Sequence, residues 1–215
     1  MPTFEIENLY PNDIVCGIDE AGLGAIAGPI VVASCLIKNQ NLFDALLIHI
    51  DDSKKLTRKM REYLFEIMIN NTDIDYGISI VGNDVIDRDG LSAAWKQGVI
   101  ESVKEQSATL CLIDGIRDVV IPNCNTVSVV KGDQRSYSIA AASIIAKVTR
   151  DRIMNQIHAK HPEYGFDKHV GYGTRLHLNN LTKFGPCDFH RNSYAPVKNV
   201  GKNKLQTKQL SFTSV

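Results

Sequence analysis

Apolar residues come in short bursts along this chain, and the period of each burst sets the element it predicts. Residues 14–18 and 30–37 are β-branched apolar runs joined by the glycine-rich stretch 20–29, so the opening reads as strand, turn, strand, most simply a hairpin. Thr57 is placed to cap a helix running to about Asn70, in which Met60, Leu64, Ile67 and Met68 recur at helical spacing. Over residues 74–81 the period changes to two: Tyr76, Ile78 and Ile80 alternate with Gly77 and Ser79, which predicts a third strand. Asn83 or Asp84 opens a short helix and residues 91–106 a longer one, while 109–113 and 126–130 are two further strands. From Ser136 to about His158 a long helix carries Ala140, Ala141, Ala142 and Ala146, small residues that allow close approach to a sheet. Past His161 and Pro162 the chain turns to Gly, His, Asn and basic residues, with one more amphipathic helix expected over 174–184. Strands interleaved with helices predict an α/β fold.

With 215 residues and 44% hydrophobic content, the chain can bury a full core in one domain with appended helices. No apolar run approaches the roughly 18 residues of a membrane span, and the opening MPTFEIENLY has neither a basic nor an apolar leader region. A soluble cytoplasmic protein is expected. Cys16, Cys35, Cys111, Cys124 and Cys187 are odd in number and form no CxxC pair, so they read as reduced thiols. Cys187 and His190 have a spacing that two metal ligands share, but no second pair completes a zinc site.

Net charge is zero, yet the charge is unevenly placed. Between Lys168 and Lys208 eight Lys/Arg stand against one acid, Asp188, so this part is +7 and the remainder −7. A second basic cluster comprises Lys54, Lys55, Arg58, Lys59 and Arg61. Such patches suit a phosphate backbone, although each alone also fits a solvated face.

Four acids share one placement, at or just past the end of an apolar strand: Asp19, Glu20, Asp114 and Asp133. Strand ends of an open α/β sheet converge on one edge, so residues distant in sequence meet there. Carboxylates gathered in this way repel one another unless a cation joins them, and Mg2+ favours oxygen ligands. Neighbours on a strand point to opposite faces, so Asp19 and Glu20 both reach a metal only if the pleat ends there, for which Gly22 gives an opening. Asp114 before Gly115 also fits a plain turn, and Asp151 competes as a fourth acid.

GIDEAGLGAIAGP, from Gly17, closely resembles the segment that opens ribonuclease HII enzymes. DSKKL, LIDG, VVKGD, AASIIAKVTRD, YGF with GYGT, and HRNSYAPVK resemble further segments of that family in order and spacing, from about Ile14 to Lys198. The resemblance implies a ribonuclease H-like α/β fold, a five-stranded mixed sheet flanked by helices with a helical C-terminal subdomain. Taken with the shift of composition past His161 and the polar, lysine-rich chain beyond about Val197, this gives a catalytic core at 1–160, the subdomain at 161–197 and a basic flexible tail at 198–215. It implies that Asp19, Glu20, Asp114 and Asp133 are catalytic and hold two divalent ions, Mn2+ or Mg2+, and it puts Asp151 outside this set, as a helix-surface ion pair with Arg150 or Arg152. The implied activity is hydrolysis of the RNA strand of RNA/DNA hybrids and cleavage 5′ of ribonucleotides embedded in duplex DNA, by a monomer.

Gly22, Leu23 and Gly24 match the family turn that contacts the 2′-hydroxyl and phosphate through backbone groups, and Tyr172 matches the tyrosine that packs on the adjoining deoxyribose. Lys54, Lys55, Lys147, Arg191 and Ser193 are candidates for substrate phosphate contacts. The family usually has arginine where this chain has Leu23, so retained cleavage with weaker junction recognition is expected. That departure also keeps in view a nuclease of altered junction specificity, or a hybrid-binding protein with weak catalysis. The acid set favours the enzyme, because acids repel phosphates and binding alone does not need them. QLSF, from Gln209 to Phe212, resembles a truncated form of the tails by which bacterial replication proteins dock on the sliding clamp.

Overall fold

The β-branched runs become strands and the alanine-bearing run a long helix, in nearly the expected order. A computed structural model describes residues 1–40, 50, 53–54 and 56–200. Its strands are β1 (Val15–Ala21), β2 (Ile30–Ile37), β3 (Ile74–Val81), β4 (Leu110–Asp114) and β5 (Asn125–Val129). Its helices are α1 (Arg58–Ile69), α2 (Asn83–Asp89), α3 (Leu91–Val103), α4 (Tyr137–Lys160), the single turn α5 (Phe166–His169) and α6 (Arg175–Phe184). Thr57 and Thr174 cap α1 and α6 through their hydroxyls, accepting from the N–H groups of Met60 and His177. Among the described residues no helix is long and apolar enough to cross a membrane.

The chain divides into two compact units. The first comprises Met1–Ala21, Val31–Ile80 and Trp95–Thr149. The strands form one mixed sheet in the order β3-β2-β1-β4-β5, with β1 antiparallel to β2 and parallel to β4, and β4 parallel to β5. The hairpin of β1 and β2 is as expected, but β1 does not stop at Ile18. Asp19, Glu20 and Ala21 continue the ladder opposite Ala33, Val32 and Val31.

This extension decides which face each acid takes. Gly17 and Asp19 share one face, where a Cβ on Gly17 would fall on the α4 backbone at Ser138 and Ile139. Ala140, Ala141, Ala142 and Ala146 of α4 are fully buried, the close approach that their size predicts. Leu110, Leu112 and Val129 pack with Ile139 on this side. Ile18 and Glu20 share the opposite face with Ser34, the β2 partner of Ile18. There the Ser34 hydroxyl donates to the Ser102 carbonyl of α3 at 2.6 Å. Near the start of the chain, buried Glu7 accepts at Oε1 from the Ser136 hydroxyl at 2.7 Å and from Ser138 N–H at 3.1 Å, which ties this segment to the start of α4.

The second unit comprises Gly22–Ile30, Val81–Ala94 and Arg150–Val215. The expected subdomain at 161–197 is therefore part of a larger body that also takes the turn after β1, α2 and the second half of α4. Its core joins Ala27, Met154, Ile157, Tyr164 and Phe166, with a second cluster of Ile26, Leu181 and Val197. Residues 195–200 are helical, a stretch that takes in the first three positions of the expected tail; residues 201–215 lie outside the described residues. All five cysteines are free, with Cys16, Cys35 and Cys111 buried.

Gly17→Ala places its methyl on helix backbone that cannot swing aside. It is expected to lower unfolding stability by about 3 kcal/mol, at the upper end for overpacking, read from the urea midpoint at unchanged m-value.

Candidate active site

Asp19 on β1, Asp114 at the end of β4 and Asp133 in the 3-10 turn after β5 each offer a carboxylate oxygen, and these atoms lie within 4.8 Å of one another. Parallel pairing sets this geometry, since Ile18 is level with Ile113, and Asp114 with Val129. The Gly132 N–H donates to Asp114 Oδ1 at 2.7 Å, which fixes the turn bearing Asp133 against the end of β4. Lys131, in the left-handed region at φ 53°, makes that reversal. Asp19 Oδ1 accepts the Glu20 N–H at 2.7 Å.

Asp19 and Asp133 are buried, and Asp114 is partly so. Burial first, and then the charges of Glu20 and Asp114, push the Asp19 carboxyl well above the usual carboxylate range. Hydrogen bonds from Glu20 N–H and from Ser143 of α4 oppose this. The Ser143 hydroxyl is itself 2.7 Å from that of Ser53. Lys54 Nζ stands 3.7 Å from Asp133 Oδ2, but its side chain is 79% exposed, so solvent weakens the compensation.

Glu20 behaves differently from the three aspartates. Because the pleat continues past it, its side chain leaves β1 on the α3 face and stands outside the aspartate group. Its Oε2 accepts from Trp95 Nε1 of α3 at 2.9 Å, and its Oε1 from Arg117 Nη1 at 3.3 Å. The Arg117 guanidinium lies 5.1 Å from the centre of the Trp95 ring. Burial raises the Glu20 carboxyl, with Arg117 and then Trp95 opposing. Neither Trp95 nor Arg117 stands out in the sequence. Their signals are slight: the only tryptophan in the chain, and an arginine three residues past Asp114.

The donor set is oxygen only and closely spaced, which suits hard divalent cations and not zinc. Among the described residues no other group of three or more His, Cys, Asp or Glu side chains meets this spacing. Cys187 Sγ and His190 Nδ1 are 3.2 Å apart, yet His190 belongs to a histidine relay instead. The Cys187 N–H donates to His190 Nδ1 at 3.0 Å, His190 and His177 meet through Nε2 at 3.1 Å, and His177 Nδ1 reaches the Tyr172 carbonyl at 2.9 Å. With Nδ1 of His190 an acceptor, its Nε2 donates to His177, whose Nδ1–H then donates to Tyr172. Burial holds both histidines near pKa 4, hence neutral.

Of the expected substrate residues, the second unit contains Gly22, Leu23, Gly24, Tyr172, Arg191 and Ser193. Gly22 adopts φ 99°, and a Cβ there would fall on the Arg150 guanidinium, so the turn requires glycine twice over. Arg191, expected at phosphate, is instead fully buried. It donates to the carbonyls of Gly22 at 2.7 Å, Leu23 at 2.9 Å and Gly28 at 3.0 Å. Arg150 is equally buried and donates to those of Pro29 at 2.9 Å, Val170 at 2.9 Å and Ala27 at 3.2 Å. Asp151 is buried, so its expected place at a helix surface is corrected, while its charge does act on Arg150.

Ser193 is exposed, but its hydroxyl and N–H donate to Asp87 at 2.6 and 2.9 Å, a use other than the phosphate contact expected of it. Tyr172 is 36% exposed with Arg150 5.4 Å from its ring centre. Lys147 is half-buried on α4, and Lys55 lies outside the described residues.

Comparison with known proteins accords with this arrangement. The sequence pattern of the family described as Ribonuclease HII matches residues 16–197. A Ribonuclease HII of Chlamydia trachomatis serovar A is 42% identical over 205 residues, covering 91% of this chain and 91% of that protein. The solved structure of the PCNA:RNase HII complex from Archaeoglobus fulgidus contains a chain similar at TM-score 0.71 and 25% identity, over 83% of this chain and 93% of that one. Bst-RNase HIII in complex with Mn2+ is similar in fold at TM-score 0.66 and 16% identity, over 86% of this chain and 68% of that one. The chain belongs to the ribonuclease HII family, the type 2 ribonuclease H endonucleases.

Proposed function

We propose that this endonuclease hydrolyses the RNA strand of RNA/DNA hybrids and also cuts on the 5′ side of ribonucleotides embedded in duplex DNA, leaving a 3′-hydroxyl and a 5′-phosphate. Family membership carries the coarser part, ribonuclease H activity on hybrids. The observation that supports the chemistry is the convergence of Asp19, Asp114 and Asp133 within 4.8 Å. Divalent ions, Mg2+ or Mn2+, supply nucleophile activation and charge neutralisation at phosphorus when bound to such a group. The related fold of Bst-RNase HIII was solved with Mn2+.

In this reading Asp19 and Asp114 are the principal ion ligands, and Asp133 and Glu20 complete the set. Lys54, paired with Asp133, is a cation next to the site for a substrate phosphate, with Lys55 and Lys147 assigned the same role. In the turn of Gly22, Leu23 and Gly24, the first two carbonyls already accept from Arg191, so we assign recognition of the 2′-hydroxyl and phosphate to the turn's N–H groups. Arg191 then acts by holding the turn and not by touching phosphate. Tyr172, with its carbonyl fixed by His177, presents a ring for the adjoining sugar. The protein acts as a monomer, and QLSF at residues 209–212 is assigned to a sliding clamp, a partner class seen in the Archaeoglobus complex.

Asp19→Asn is expected to abolish Mg2+-dependent cleavage of a hybrid while binding stays within a few-fold. The same variant should raise metal-free stability at neutral pH by about 1 kcal/mol, since it removes the cost of burying a carboxyl whose pKa the fold raises. The sign follows from the raised carboxyl: the folded protein binds the extra proton, so stability falls as pH climbs through its folded pKa, and asparagine flattens that fall. Substantial residual turnover with Mg2+ would overturn the site assignment. Leu23→Arg should increase cleavage of a duplex with one embedded ribonucleotide more than cleavage of a long hybrid, and equal effects on the two would count against a role for position 23. Deleting the last seven residues should abolish capture by immobilised clamp; undiminished capture removes that assignment.

A further inference from the structure

We infer that Arg117 and Trp95 are positioning residues that hold Glu20 ready as the fourth ion ligand. This rests on the reading of the aspartate group as a divalent-ion site. Asp19 is short and carried directly into the group by β1. Glu20 leaves the same strand on the opposite face, and the pleat does not end there as a direct approach to the ions would need. Only its extra methylene and further rotatable bond can bring the carboxylate round to the group, so strand geometry alone does not fix it. Two donors do: Trp95 Nε1 at 2.9 Å on Oε2 and Arg117 Nη1 at 3.3 Å on Oε1.

The donors are themselves restrained. Trp95 is 2% exposed on α3, and the Arg117 guanidinium stacks 5.1 Å from its ring centre. The Arg117 carbonyl accepts from the Ser128 hydroxyl at 2.9 Å, which ties its backbone to β5. A carboxylate has about four lone-pair sites, and one donor on each oxygen leaves capacity for a cation. Arg117 also supplies a positive charge beside carboxylates that otherwise repel one another. Outer contacts of this kind commonly change metal affinity or activity by roughly 10- to 100-fold when removed.

Trp95 is the only tryptophan in the chain, so its emission reports on the Glu20 contact without nucleic acid or turnover. With the full-length protein, Mg2+ should change indole fluorescence saturably, and Glu20→Gln should remove the change. Arg117→Met should raise the Mg2+ midpoint and lower kcat, each by roughly 10-fold, with KM for a hybrid altered less than about twofold. Arg117→Lys should recover part of both. Trp95→Phe, followed by calorimetry because it lacks the reporter, should also bind Mg2+ more weakly.

If Arg117→Met raises KM and leaves kcat and the Mg2+ midpoint unchanged, Arg117 is a phosphate contact and the inference falls. It falls equally if Mg2+ does not affect the indole while hybrid cleavage is intact. If Mg2+ shifts the indole in an Arg117-dependent way but hybrids are not cut, positioning of Glu20 stands and the proposed activity is what fails.

Discussion

Mutual repulsion among carboxylates at the ends of neighbouring strands is the constraint to which the first unit is built. Two unit charges about 4 Å apart repel by roughly 4 kcal/mol at an effective dielectric of 20. The sheet leaves them little room to part. Asp19 and Asp114 are carried on hydrogen-bonded parallel strands, and the Gly132 N–H fastens the Asp133 turn to Asp114. Rigid backbone thus maintains an electrostatic arrangement that loose loops would relax. The Asp19 carboxyl is raised first by its burial and then by the charges of Glu20 and Asp114, so part of its shift reflects that repulsion.

The two faces of β1 divide the work. On the α4 face Gly17 brings the helix backbone against the sheet, and Ser143 one turn further on reaches Asp19. On the α3 face Ser34 and Ser102 join sheet to helix, and Trp95 reaches Glu20. A helix on each side therefore supplies one donor to each of two adjacent acids. The alternation that separates Asp19 from Glu20 is also what allows separate partners to tune them.

Much of this was legible in the sequence, for identifiable reasons. Strands and the long helix follow from apolar period, and the acids were conspicuous because they recur where apolar runs end. The length of β1 was not, since Asp19 and Glu20 are poor strand formers and only pairing with Val32 and Ala33 carries the ladder through them. The burial of Arg191 was not legible because sequence does not distinguish a guanidinium facing solvent from one facing the carbonyls of Gly22, Leu23 and Gly28, and basic composition favours the first. Trp95 and Arg117 meet Glu20 across 75 and 97 residues of chain, and no local pattern encodes such a meeting. The second unit is drawn from three separated stretches, so no single shift of composition marks its edge.

The arginine hold on the turn after β1 has a consequence for biosynthesis. The carbonyls of Gly22, Leu23 and Gly28 receive their donors from a side chain 163 to 169 positions later. A nascent chain can therefore complete β1 and pair it with β2 long before that turn acquires its final support. The loop bearing Leu23 must wait until Arg191 has left the ribosome, so a product truncated ahead of Arg191 keeps Asp19, Asp114 and Asp133 yet lacks the means to shape the segment beside Asp19 in sequence.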